Sequence, residues 1–206
     1  RFPTLNFGFL EGGVGWASAL YNDLCEFWEK RNVETLKKTL NPENIDIDQM
    51  LNLFDRYGGR VAEGRKDDLA ELLDGMTQHL EDLNNVDDFQ ACEIKKQSDI
   101  DDLFVSRFYF GCEADDPSNV WAFRGKTKLN AIFSSDIGHW DVPDIRECLE
   151  EAYELVEDGE LTEQDFESFV CTNPISLHGG MNPAFFEGTA VENKAAEMLL
   201  THGNTI

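Results

Sequence analysis

Leu129-Asn130-Ala131-Ile132-Phe133-Ser134-Ser135-Asp136-Ile137-Gly138-His139-Trp140-Asp141 is an apolar run that breaks into a loop carrying two carboxylates, an imidazole and an indole. A run of this length, bounded by polar residues, predicts a buried strand over 129–136. In α/β folds, the loops that leave the carboxyl ends of parallel strands hold the working groups. Asp136 is therefore the first candidate functional residue and His139 the second. The competing reading of the same residues is that Asp136 caps the following turn and His139 is an ordinary loop histidine.

Two further segments have the same form. Leu5-Asn6-Phe7-Gly8-Phe9-Leu10 reads as a strand that breaks at Glu11-Gly12-Gly13-Val14-Gly15, and Leu20, Leu24, Phe27 and Trp28 then fall at helical spacing in 16–31. Phe104 to Glu113 reads as another strand ending in an acid. Glu11 thus occupies the place that Asp136 occupies. Glycines 12 and 13 allow close approach of a ligand or of another backbone, and Trp16 either walls a pocket or is the first core residue of its helix. Glu113, Asp115 and Asp116 suit a solvated loop before Pro117 better than a metal site.

Residues 41–102 differ in kind. After Asn41-Pro42-Glu43-Asn44, the residues Met50, Leu51, Leu53, Phe54, Leu69, Leu72, Leu73, Met76 and Leu80 follow at spacings of three and four, which predicts a helical insertion. Beyond the third strand, Pro143 to Glu157 reads as an amphipathic helix. Thr162 with Asp165 forms an approximate capping box for another, through Val170. The predicted class is α/β, with a strand-helix unit, a helical insertion, two more strands and closing helices.

Composition sets limits on function. The chain has 206 residues, 41% of them hydrophobic, with 41 acids against 17 Lys and Arg and a formal charge of -24. Such a surface argues against nucleic acid or an anionic membrane as partner. No apolar run approaches the roughly 18 to 20 residues that span a bilayer, and Arg1-Phe2-Pro3-Thr4 lacks the pattern of a signal peptide; a cytoplasmic location is expected. The acid is unevenly shared: residues 1–40 balance five acids with five bases, whereas 41–102 carry seventeen against six.

Several motifs are absent. The five cysteines, at 25, 92, 112, 148 and 171, form no CxxC pair and are expected to be reduced and mostly in the core. No GxGxxG or GK[ST] follows a strand, and no GxSxG elbow occurs. Glu154 to Asp165 fails as a calcium loop because Val156 would fall at the third ligand position. The histidines at 79, 139, 178 and 202 make no HxH, HExxH or HxxxH pair, so these residues alone supply no histidine-rich zinc site.

Taken together, LEGGVGW, FYFGCE, SSDIGHWDVPD and TNPISLHGG resemble the amidohydrolase superfamily. The nearest branch is that related to aminocarboxymuconate semialdehyde decarboxylase and other metal-dependent TIM-barrel hydrolases. The resemblance is strongest at 1–31 and 129–192. It implies the C-terminal portion, about strands 6 to 8, of a (β/α)8 TIM barrel spanning 1–206, with 41–102 as an acidic helical insertion.

That resemblance carries functional expectations. Asp136 matches the aspartate that ends the eighth strand, ligates the metal and handles the proton of its water. His139 completes an SDxxH pattern at the mouth of the barrel. Glu11, Trp16 and Trp140 would contact a small-molecule substrate. The cofactor implied is a divalent metal, zinc or manganese, which lowers the pKa of bound water toward about 7. Leu10-Glu11-Gly12-Gly13 stands where the family often has a histidine turn, leaving Glu11 as the nearby substitute. The implied activity is C–N or C–O bond hydrolysis or the related non-oxidative decarboxylation. The family's other ligands would precede Arg1, so activity is expected to need an N-terminal half or a homo-oligomer partner. The alternative is a non-enzymatic acidic binding module that retains a partial barrel.

Overall fold

The computed structural model describes residues 5–39, 41, 44–79 and 87–202. Three strands, β1 (Phe7–Phe9), β2 (Phe108–Cys112) and β3 (Asn130–Phe133), form an open parallel sheet in the order β1-β2-β3. Phe9 lies beside Phe110, and Phe110 beside Ala131. All three strands therefore deliver their carboxyl ends to one side. Helical segments separate the strands, as parallel pairing requires. The α/β class is as expected; three open strands do not make a closed barrel, which takes eight.

The chain divides into two compact units, Arg1–Asp23 with Ser98–Ile206, and Leu24–Gln97. In the first, strand alternation sorts the side chains onto two faces. Phe7, Phe9, Phe108 and Phe110 share one face, with Phe9 and Phe110 stacked at 5.8 Å and Trp16 edge-on to both. On the other face Tyr109 and Ile132 pack against Leu177, and a side chain at Gly8 would meet Leu177 at 3.6 Å.

One helical run, Glu163–Glu167, a π-helical turn Ser168–Thr172 and Asn173–Met181, serves both faces. Phe169 is fully buried against Phe123 and Phe133. Asn173 Nδ2 then donates to the Ala131 carbonyl at 2.8 Å, satisfying an acceptor on the free edge of β3. The edge of β1 differs, since Phe7 and Phe9 remain 43% and 42% exposed.

The predicted helix 16–31 is found as Gly15–Arg31, and Thr162 caps its helix by accepting from the Asp165 amide at 3.1 Å. Three boundaries are corrected. Phe104 ends a helix, Gln97–Phe104, rather than opening a strand, because Ile100 and Phe104 share a helical face with Ile100 buried; β2 starts at Phe108. The third strand stops at Phe133, before Asp136 turns into left-handed backbone. The helix expected from Pro143 begins at Cys148, because the Asp144 carboxylate takes the Arg146 amide at 3.0 Å and holds a turn there.

The second unit is helical, with Val33–Thr39, Ile47–Tyr57, Gly59–Ala62, Lys66–His79 and Asp88–Ala91. The buried Asp87 carboxylate accepts from the amides of Val33 and Phe89, both at 2.9 Å, and so ties two of these helices together. The unit begins at Leu24, ahead of the expected boundary at 41. The readings on Arg1 to Thr4, Pro42, Glu43 and Leu80, and on the Met76 side chain, lie outside the described residues. Among the described residues, no helix is long and apolar enough to cross a membrane. All five cysteines are free, but only Cys112 and Cys148 are buried. Cys25 and Cys171 are half-buried and Cys92 is exposed, since it closes the short helix Asp88–Ala91 at the surface.

Candidate functional site at the strand ends

The chain leaves each strand through a turn whose backbone is fixed by hydrogen bonds. After β1, Glu11 has φ 58° and Gly13 φ 59°, and the Gly13 amide donates to the Gly111 carbonyl at 3.1 Å. After β3, the Ser134 amide donates to the Cys112 carbonyl at 2.8 Å and Asp136 adopts φ 51°. After β2, Asp116 caps the turn Pro117–Val120 by accepting from the Ser118 amide at 2.8 Å and its hydroxyl at 2.9 Å. Fully buried Asn119 donates to the Glu113 carbonyl at 2.8 Å, fixing the residue between strand and cap.

These turns enclose a cleft of about 240 Å³ lined by Glu11, Glu113, Asp116 and Asp136, with Ser134 and the glycines 12, 13 and 111 between them. The glycines are needed for space. A side chain at Gly111 would come within 3.2 Å of Leu10 and Ser134, and one at Gly13 would lie 2.9 Å from Asp116 Oδ2. Four acidic residues around one cleft favour a cation over an anion there.

Two of the four carboxylates sit on strained backbone. Left-handed φ is uncommon outside glycine, and for Glu it carries a cost that the surroundings must hold in place. Glu11 and Asp136 are two of three such non-glycine residues among the described ones. Both were singled out by position alone.

His139 Nδ1 lies 2.6 Å from Asp136 Oδ2, and the His139 amide donates to the Asp136 carbonyl at 3.2 Å. The hydrogen bond to Asp136, followed by its charge and those of Asp141 and Glu11, raises the His139 pKa above the ordinary imidazole value. Ligand atoms of Asp136, His139 and Asp141 all fall within 4.8 Å of one another. Two carboxylate oxygens and an imidazole nitrogen are donors that suit zinc or manganese.

The five residues expected at the site thus divide. Glu11 and Asp136 meet in the cleft, and His139 is bonded to its rim. Trp16 packs edge-on to Phe9 and Phe110 with its Nε1 3.3 Å from the position of a Gly12 side chain, behind the Glu11 turn. Trp140 is 92% exposed and lies outside the cleft lining. Glu113 and Asp116 were read as a solvated loop, yet both line the cleft. The signal for them is that each of the three strands runs into acids. Asp141, within the quoted SSDIGHWD motif, joins the donor cluster through the tight turn at Gly138.

No protein-family model matches the chain, no curated protein matches it, and no solved structure matches it.

Proposed function

We propose that the chain forms the carboxyl-terminal wall of a metal-dependent amidohydrolase-type site, contributing about strands 6 to 8 of a TIM barrel. The observation that carries this reading is the meeting of Glu11, Glu113, Asp116 and Asp136 in one cleft at the carboxyl ends of three consecutive parallel strands, with His139 bonded to Asp136. The open β1 edge and its exposed Phe7 and Phe9 also favour a sheet that continues.

In this reading Asp136, His139 and Asp141 offer donors to a divalent cation, zinc or manganese, with Glu11 across the cleft. Such an ion, when bound, supplies Lewis acidity toward a substrate carbonyl or carboxylate and toward water. The remaining work falls to this chain's residues. Asp136, turned into the cleft by its left-handed backbone, takes the proton of the attacking water and returns it to the leaving group. In decarboxylation the same carboxylate takes a proton from water and passes it to the carbon that loses carbon dioxide, and the hydroxide left behind combines with the carbon dioxide as bicarbonate. His139 Nδ1 meets Asp136 Oδ2 at 2.6 Å and so orients the carboxylate, and that contact is the main reason the His139 pKa is raised.

The substrate is a small molecule bearing a carbonyl or carboxylate. The test is a panel of small amides, lactones and unsaturated carboxylic acids assayed with the chain in the presence of zinc or manganese. Turnover that falls at least 100-fold in Asp136→Asn supports the proposal. Turnover unaffected by that change, or metal-free protein with no turnover, favours the non-enzymatic binding module instead.

A further inference from the structure

A separate feature lies in the helical unit. Its helix Ile47–Tyr57 is strongly amphipathic, yet it buries none of its residues fully. Ile47, Leu51 and Phe54 are half-buried and face the rest of the unit. Met50, Leu53 and Tyr57, three and four residues apart, form an adjoining stripe that is 42%, 46% and 69% exposed. Val61, 68% exposed, follows past the turn at Gly58 and Gly59. The apolar arc of this helix is wider than its own unit covers.

The charges at the two ends of the stripe have opposite sign. Asp46 caps the N-terminus, accepting from the Gln49 amide at 2.8 Å, and falls on the same helical face as Met50 and Leu53. At the other end Arg56 lies over the Tyr57 ring, and Arg60 follows in the separate short helix Gly59–Ala62. In a chain of net charge -24, residues 45–66 balance Asp46, Asp48, Asp55 and Glu63 against Arg56, Arg60, Arg65 and Lys66. This local balance limits like-charge repulsion between two copies at the stripe.

We propose that this stripe is an isologous interface, in which the helix Ile47–Tyr57 of one copy packs antiparallel to that of a second copy about a two-fold axis near Leu53. Antiparallel packing sets Asp46 of each copy against Arg56 and Arg60 of the other and opposes the two helix dipoles. Met50, Leu53 and Tyr57 interdigitate between these charged ends. The symmetry closes the assembly at two chains. A stripe on one helix gives an interface at the small end of specific contacts, so the dimer is in reversible exchange with the monomer.

The test is sedimentation equilibrium of the full chain across protein concentration. The expected result is a reversible shift from one to two chain masses, with Leu53→Glu weakening dimerisation at least 30-fold while the circular dichroism spectrum is kept. Leu53 is half exposed, so that change leaves the fold intact. A double-mutant cycle that keeps the helix cap provides the second measurement. Asp46→Asn, which still accepts from the Gln49 amide, and Arg60→Gln each weaken the dimer, and the double variant loses no more than the larger single loss because both remove the same pair. A monomer at all concentrations, a dimer indifferent to Leu53→Glu, assembly beyond two chains, or additive losses in the double variant would each overturn the proposal.

Discussion

Replacing Glu11 by glycine should make the protein more stable and the site worse. Glu11 has φ 58° in an exposed turn, so its side chain gains little from burial while its backbone is held in the left-handed region. For an L-residue that conformation costs roughly 1–2 kcal/mol. Glycine removes the cost but widens the unfolded ensemble, returning about 0.4–1 kcal/mol. The net gain is about 0–1.6 kcal/mol, or a Tm rise of up to about 6 °C for a chain of this length. Glu11→Gln keeps the strain and loses only the charge, so its Tm should match that of the wild type. Thermal unfolding by circular dichroism gives the first readout and manganese titration the second, and both variants should bind the ion more weakly. A glycine variant that melts lower, or one that binds manganese as the wild type does, would refute the claim that strain is retained at Glu11 for the cleft.

Three more outcomes follow from the same geometry. Gly13→Ala places a methyl group 2.9 Å from Asp116 Oδ2 on backbone with φ 59°, and should cost about 1–3 kcal/mol in urea unfolding; an unchanged midpoint would contradict the turn geometry. Burial opposes ionisation of Asp165, but hydrogen bonds from Lys128 and Thr162, with the Lys128 charge, outweigh it and hold the carboxyl below the usual range. Its contribution is therefore complete above the unfolded value of about 3.9 and is lost as pH falls through the lower native value. Asp165→Asn should accordingly flatten the decline of Tm below about pH 4, and parallel declines would count against the pair. Burial, aided by Asp116, pushes the Cys112 thiol up to about 12, whereas Cys92 is exposed. Iodoacetamide at pH 8 should label Cys92 first and Cys112 only after unfolding, with early labelling of Cys112 arguing against a sealed sheet.

Legibility in the sequence followed the range of the interactions involved. The helix from Trp16 and the Thr162 cap are set by neighbours within one turn, and both were readable from spacing. The boundary near Phe104 was not, because the stretch from Phe104 to Phe110, apolar but for Ser106 and Arg107, contains a helix end and a strand start that only packing separates. Glu11 and Asp136 could be placed at strand ends by pattern, but their convergence in one cleft depends on sheet order, which spacing does not encode. Glu113 and Asp116 illustrate this. As a local string they read as a solvated loop, and they become cleft walls only because β2 lies between β1 and β3. Trp140 shows the converse, since its adjacency to His139 in sequence suggested a substrate wall and its side chain instead points to solvent.

The central claim is that the strand-end cleft is a cation site organised by Asp136. The direct measurement is a zinc titration of the protein by calorimetry, with the histidine ring signals followed by NMR, for the wild type and for Asp136→Asn. One saturable equivalent that shifts the His139 resonances is expected in the wild type, with loss of both effects in the variant. Absence of saturable binding, or binding that Asp136→Asn leaves intact, would contradict the claim.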